Sequence, residues 1–255
     1  MKSENSSQIL EQFTKQAEKF AKIEAHSDTE AMRLLLEMSE VDKDKTVLDV
    51  ACGPGIVACA FAEKARKVNG VDLVPAMIEQ ANKLKNEKRM ENLEFGICDV
   101  EDLPFPGNYF DIVVSRYAFH HFSSPGVVID QMSRVCRNAG VVIIADVTPP
   151  EDKIDRYNYA EKLRDSSHAS ALSETIFVDT GARYNLIHQD TKKYILEIKF
   201  DKLLDAAVLS KEDELELRSI VNADVNKNEL GLGIHRKDGD IFYAFPISII
   251  KFKKS

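Results

Sequence analysis

Two aspartates, two glycines and a pair of histidines carry the chemistry that can be read from this chain. The string "VLDVACGPG" (47–55) sets Asp49 at the end of an apolar run, with Gly53 and Gly55 directly after it and Asp72 further on. Glycines between a strand and a helix let a ligand approach the backbone closely, and the helix that opens there offers N–H groups without internal partners. The spacing Gly53-x-Gly55-x-x-Ala58 suits a dinucleotide and a nucleoside equally, with Asp72 roughly twenty residues on, where a ribose-binding acid is expected. Asp49 separates these readings. A carboxylate immediately before the loop would repel a pyrophosphate and would suit a ligand bearing an ammonium and a sulfonium. Capping of the loop, by accepting backbone N–H bonds, is a second role for Asp49 that is compatible with the first.

The elements that must position these residues follow from periodicity. Ile9, Phe13, Ala17 and Phe20 share one helical face, and Met32, Leu35, Leu36 and Met38 mark a second amphipathic segment. "TVLDVA" (46–51), "KVNGVDLV" (67–74), "NLEFGI" (92–97), "YFDIVVSR" (109–116) and "AGVVIIADV" (139–147) read as strands, separated by helical patterns. Pro75 and the pair Ser124-Pro125 are placed to start two of those helices. Apolar strands alternating with helices imply a parallel, doubly wound α/β sheet. Beyond Pro149-Pro150 the pattern predicts charged helices over 151–181, a partly exposed strand at 184–200, an amphipathic helix at 209–226 and a final β-rich run at 240–254. Pro246 in that run predicts a sheet edge or a bulge.

Composition limits the function classes. The 255 residues are 44% hydrophobic and 30% charged, enough for one domain with a large core. A formal net charge of −8 disfavours nucleic acid as the partner, since phosphate binding rests on a basic surface. The first residues lack an apolar core of signal-peptide length and no stretch approaches a membrane span, so a cytoplasmic protein without membrane insertion is expected. Cys52, Cys59, Cys98 and Cys136 form no C-x-x-C pair, which suits free thiols in a reducing compartment. No metal-ligand spacing is visible, and nothing specifies an oligomeric state.

Taken in order, "VLDVACGPG", "VDLVPAMIEQA" (71–81), "FGICDVEDLPFPGNYFDIVVSRYAFHHF" (95–122) and "MSRVCRNAGVVIIADV" (132–147) resemble the motifs of class I S-adenosylmethionine-dependent methyltransferases, most closely the small-molecule branch that includes ubiquinone/menaquinone-biosynthesis-type enzymes. The resemblance covers about 45–148, and it departs from the family at "RNAG", where a Lys-Pro-Gly-Gly turn is usual. It implies a Rossmann-like seven-stranded sheet with an antiparallel last strand, organised as one domain: an N-terminal helical lid (1–44), a cofactor-binding core (45–148), and an acceptor-side insert with a terminal hairpin (149–255). It implies S-adenosyl-L-methionine as cofactor. Asp49, Gly53 and Gly55 would wrap its methionine end, Asp72 would hold the ribose hydroxyls, Leu73 would lie against the adenine, and Asp99 and the Val100 backbone would meet the adenine nitrogens. The Ser115 backbone would approach the methionine amine.

On the acceptor side, His120 and His121 follow the fourth strand and are candidates for the base that removes the acceptor's proton, with His121 favoured. Arg116 and Tyr117 belong to the same edge and could bind the acceptor. Arg164 and His168, four apart in "LRDSSH", would share a helical face toward it; a salt-bridged surface turn is the alternative. His26 is a further pocket-lining candidate, whereas His188 and His235 have no constellation around them. The place after the fourth strand reads "SRYA", not the Asn/Asp-Pro-Pro-aromatic segment of methyltransferases that modify nucleic-acid amines. A small-molecule acceptor is therefore expected. A catalytically inert S-adenosylmethionine-binding subunit and an NAD(P)-dependent oxidoreductase are the competing readings.

Overall fold

The computed structural model describes residues 7–14 and 29–255; His26, Ala17 and Phe20 lie outside them. Helical residues 7–14 (α1) and α2 (Thr29–Ser39) precede β1 (Thr46–Val50), α3 (Ile56–Ala62), β2 (Lys67–Asp72), α4 (Pro75–Glu87), β3 (Leu93–Ile97), β4 (Phe110–Arg116), α5 (Pro125–Val135) and β5 (Cys136–Val147). There follow α6 (Ile154–Arg164), α7 (Glu174–Arg183), β6 (Leu186–Lys199), α8 (Phe200–Ala206), α9 (Lys211–Asp224), β7 (His235–Lys237) and β8 (Asp240–Lys254). The sheet runs β3-β2-β1-β4-β5-β8-β6. Strands β1 to β5 pair in parallel, and β8 is antiparallel to both of its neighbours. The expected seven strands are joined by an eighth, because Asp238 and Gly239, both at positive φ, turn β7 back onto β8.

All seven residues of β4 are buried, as a strand covered on both faces requires. Successive residues divide between two layers: Leu48, Val50 and Val113 pack with α5 through Val128, Ile129 and Met132, while Val47, Ile112 and Val114 pack with α2 and α3. Each such side chain, fully buried, stabilises the fold by roughly 1.5–3 kcal/mol. Two expectations change here. α2 is not a lid: Met32, Leu35 and Met38 belong to the core beneath the sheet. Pro246 is at neither an edge nor a bulge, since β8 lies between β5 and β6. The Pro246 carbonyl accepts the Thr148 N–H (2.8 Å), so its missing donor faces the same side, one residue past the end of β5. Only half of a terminal rung is lost.

Candidate active site

The strand order reverses between β1 and β4, where an open parallel sheet leaves a crevice beyond its carboxyl ends. The cavity there leaves about 1040 Å³ of space between its lining atoms, open mouth included. The glycine loop forms one wall. Ala51 (φ 57°), Gly53 (φ 51°) and Gly55 (φ 83°) turn it through left-handed backbone. The two glycines serve different needs. Among the described residues, a Cβ on Gly53 would meet nothing within 4 Å, so its bare backbone borders open space; a Cβ on Gly55 would lie 2.7 Å from Phe95 Cζ and 2.9 Å from Ala81 Cβ. Gly53 lines the cavity and Gly55 does not.

Asp72 ends β2 and fastens this wall. Its Oδ2 accepts the Gly53 N–H (2.8 Å) and its Oδ1 the Val74 N–H (2.9 Å). Burial raises its pKa against those two bonds and a third from the Leu73 backbone, and the carboxylate has acceptor capacity left for a ligand. Leu73, Asp99 and Val100 continue the lining, with Asp99 accepting the Glu101 N–H (3.0 Å) in a tight turn. Asp49 sits beneath the wall, 1% exposed and outside the lining. It accepts a bond from the Ala58 backbone, yet its Oδ2 has no partner among the described residues. Burial pushes the carboxyl up to about 8, opposed by the Ala58 bond and increased by the charge of Asp72.

The opposite wall comes from the end of β4 and the segment after it, and α1 closes over both walls through Ile9 and Phe13. Arg116, Tyr117, His121 and Phe122 line it. Tyr117 adopts φ 56°, unusual for a bulky side chain, and is held there from three sides. Its N–H donates to the Ala145 carbonyl (2.8 Å), its hydroxyl bonds Tyr194 of β6, and the Arg116 guanidinium carbon lies 4.4 Å over its ring. The Phe13 ring meets His121 edge-on at 5.0 Å.

The paired histidines face different surroundings. His120 lies behind the lining, donating from Nδ1 to Asp146 Oδ1 (2.7 Å). Burial alone would lower its pKa; the Asp146 carboxylate overrides this and raises it. His121 faces the cavity, with burial and the charge on His120 lowering it to about 4.

Besides Asp49, Gly55 and His120, the lining lacks Ser115, Arg164 and His168. Ser115 is fully buried within β4 and absent from the lining. Arg164 ends α6 and is tied to Glu161 (2.7 Å), which holds it away from the pocket. His168 falls beyond the helix end, so the two share no helical face; it bonds Asn158 (2.8 Å) and stacks on His120 at 5.7 Å. Asp146 and Ser167, whose carbonyl oxygen lies 3.2 Å from His121 Nδ1, were not anticipated. Asp146 had a visible signal, an acid closing the apolar run "VVIIAD", where burial demands a partner; Ser167 had none.

Comparison with known proteins decides the family. Residues 48–144 match the model described as a methyltransferase domain. An uncharacterized methyltransferase, YcgJ of Bacillus subtilis, is 33% identical over 191 residues, covering 74% of this chain and 76% of its own length. This chain belongs to the class I S-adenosylmethionine-dependent methyltransferases. The crystal structure of YcgJ superposes on this methyltransferase with a TM-score of 0.82 at 27% identity, covering 89% of this chain and 98% of the other. A demethylmenaquinone methyltransferase of Thermotoga maritima is 33% identical over 129 residues, 49% of this chain and 54% of the relative. An uncharacterized RNA methyltransferase of Bacillus cereus is 31% identical over 114 residues, 45% of this chain and 23% of the relative. The cofactor of this methyltransferase is S-adenosylmethionine, and the pocket fits it. A buried carboxylate oxygen without a partner suits a cationic ligand, and the bare backbone at Gly53 leaves the space for one.

Proposed function

We propose that this methyltransferase acts on a small-molecule acceptor, held between the glycine-loop wall and the segment 116–123. The observation that carries this is the roof over the pocket: Ile9 and Phe13 from α1 cover a mostly apolar cavity, with Arg116, Tyr117, His121 and Ser123 as its polar groups on the acceptor side. A polynucleotide would need an open, basic face, and the net charge is −8.

When bound, the cofactor supplies a methyl group already activated by its sulfonium. Asp72, facing the cavity at the end of β2, is suited to the ribose hydroxyls, Leu73 to the adenine face, and Asp99 with the Val100 backbone to the adenine nitrogens. The Gly53 backbone borders the methionine end; a cation there would favour the ionised form of the buried Asp49 carboxyl below it, which burial otherwise holds up at about 8, with Gly55 and Ser115 shaping the wall from behind. The chain's task is then to orient the acceptor and exclude water, which is where most of the acceleration of a direct displacement lies. Arg116 and Tyr117 border the acceptor, and His121, neutral at pH 7, is available to take its proton. His120, Arg164 and His168 support the wall without lining it.

Incubation of the protein with methyl-tritiated S-adenosylmethionine and cell extract, followed by separation of RNA from the low-molecular-weight filtrate, tests this. Label in a filtrate compound is expected. Label confined to RNA would reverse the assignment, and binding of the cofactor without any transfer would favour the inert-subunit reading.

A further inference from the structure

The segment that joins β3 to β4, residues 98–109, contains neither helix nor strand. Asp99, Val100 and Glu101 at its start line the cavity, and the residues after them run along α5 instead. Irregular backbone must find partners for its N–H and C=O groups, and here two side chains of α5 supply them. Arg134 Nη1 donates to the Phe105 carbonyl (2.7 Å) and Nη2 to the Leu103 carbonyl (2.8 Å). Gln131 Oε1 accepts the Leu103 N–H (3.2 Å) together with Arg134 Nη2 (2.7 Å) and Nε (3.2 Å). Gln131 and Arg134 are three apart and share one face of the helix. The α5 backbone extends the seam: the Arg134 carbonyl accepts the Asn108 N–H and the Val135 carbonyl the Tyr109 N–H, both at 2.9 Å. Leu103 places its side chain in the core that also holds Val100. At the other end, the Cys98 N–H bonds the Asp72 carbonyl (3.1 Å), and Asp99 closes its own turn on Glu101 and Asp102. The three cavity residues are thus held between β2 and the Gln131–Arg134 pair, and neither member of that pair lines the cavity.

Resting on the cofactor placement proposed above, with the adenine at Asp99 and Val100, we propose that Arg134 and Gln131 are positioning residues that set the selectivity of this pocket for the adenine base. A carboxylate only accepts and a backbone N–H only donates. Side by side they complement the adenine edge, an exocyclic N–H donor next to a ring-nitrogen acceptor. Hypoxanthine reverses that pattern, with a carbonyl in place of the amine and an N–H in place of the lone pair. The same protein edge then sets oxygen against oxygen and N–H against N–H. This discrimination lasts only while both protein groups keep their places, since a loose turn lets the carboxylate swing aside and the base reseat. Asp99 is exposed, so packing does not fix its side chain, and the turn behind it carries that task. Arg134 suits the role of brace because one planar guanidinium spans two carbonyls and the Gln131 oxygen at once, which an ammonium cannot do.

Calorimetric titration with S-adenosylhomocysteine and with S-inosylhomocysteine, which differ only in the base, reads the selectivity as a ratio. The wild type is expected to favour the adenine ligand by at least about tenfold, the worth of one charge-assisted hydrogen bond. Arg134→Lys and Gln131→Ala are expected to bring the ratio to within about threefold of one. Gln131→Glu, which keeps an accepting oxygen for Leu103 and Arg134, should preserve it. In an Asp99→Ala background Arg134→Lys should change the ratio no further, because it acts through that carboxylate. A ratio unmoved in both Arg134→Lys and Gln131→Ala overturns the proposal, even where affinity for both ligands falls together, since that is what loss of stability alone produces. Amide exchange without ligand gives an independent reading. Backbone N–H groups between Asp99 and Phe105 should exchange at least about tenfold faster in Arg134→Lys while β1 and β4 keep their wild-type rates, and unchanged exchange there would overturn the brace itself. A wild type that binds neither ligand would count against the cofactor reading, and one that binds both equally against the adenine at Asp99 and Val100. In either case the exchange result still decides whether α5 braces the segment.

Discussion

Between Ala51 and Glu101 the pocket wall consists of three successive strand ends and the turns that follow them, held by carboxylates that accept backbone N–H groups. The facing wall has no such continuity. It takes Phe13 from α1, the segment after β4, Asp146 from the end of β5, Ser167 from beyond α6 and Tyr194 from β6. The first wall draws each residue from its own strand end, and its chemistry is that of a fixed cradle. In the second, side chains from distant segments set one another's charge: Asp146 raises His120, and the charge of His120 lowers His121. A cofactor common to many reactions can be held by the first kind of wall. The particular acceptor, and any sensitivity to pH, belong to the second.

The sharpest way to break that contrast is to remove the charge that organises the second wall. Asp146→Ala leaves a buried His120 without its counter-ion and two backbone N–H groups without an acceptor, and is expected to cost about 3–5 kcal/mol. The pH dependence identifies the cause. His120 has a raised folded pKa, so its contribution is complete below the unfolded value of 6.5 and fades as pH rises through the folded one. Asp146 has a lowered folded pKa, so its contribution is complete above 3.8 and fades as pH falls through the folded value. Denaturant unfolding should therefore show the widest gap between wild type and variant from roughly pH 4 to 6.5, narrowing on both sides. A gap of constant width across pH 3–9 would mean that packing, not the ion pair, is what the substitution removes.

The same logic applied to the first wall predicts a loss in binding. Asp72→Ala deletes the carboxylate that anchors Gly53 and Val74 and faces the cavity. Loss of charge-assisted bonds to a ligand is worth about 1.5–3 kcal/mol, which is on the order of a hundredfold in affinity. Calorimetric titration with S-adenosylhomocysteine measures this directly. A weakening of less than about fivefold would show that the cradle does not rest on Asp72 and that the division between the two walls is drawn in the wrong place.

The difference in assembly also explains what could be read from the chain. The order of strands and helices through β5, the glycine turn and Asp72 follow from short-range pattern, because each strand end delivers its residue to the same edge, whereas Leu73, Asp99 and Val100 are pointed to by the family resemblance and lie on that edge too. His121 was legible for the same reason, as the first segment after β4. Arg164 and His168 were misplaced because a spacing of four implies a shared face only inside a helix, and α6 stops at Arg164. Ser167 was invisible since its role depends on a turn whose geometry Asp165 sets. Pro246 misled because edge and interior differ by what lies beside the proline nitrogen, which local sequence does not encode. The "KDGD" turn that adds β7 was an available signal for a hairpin.

Two glycines of one loop provide the finest division, within the cofactor wall itself. Gly55→Ala is expected to destabilise the fold by about 2–4 kcal/mol: its φ of 83° disfavours a side chain, and the new Cβ would press on Phe95 and Ala81, the second of them within a helix. Gly53→Ala carries the left-handed penalty alone, about 1–2 kcal/mol, because its Cβ would project into open space. That space is where the ligand's backbone contact would lie, so Gly53→Ala should weaken S-adenosylhomocysteine more than Gly55→Ala does, despite the smaller loss of stability. Thermal unfolding and calorimetric titration on the same two proteins decide it. If affinity instead falls in step with stability in both, the two glycines act through the fold alone, and the space beside Gly53 is not part of the ligand site.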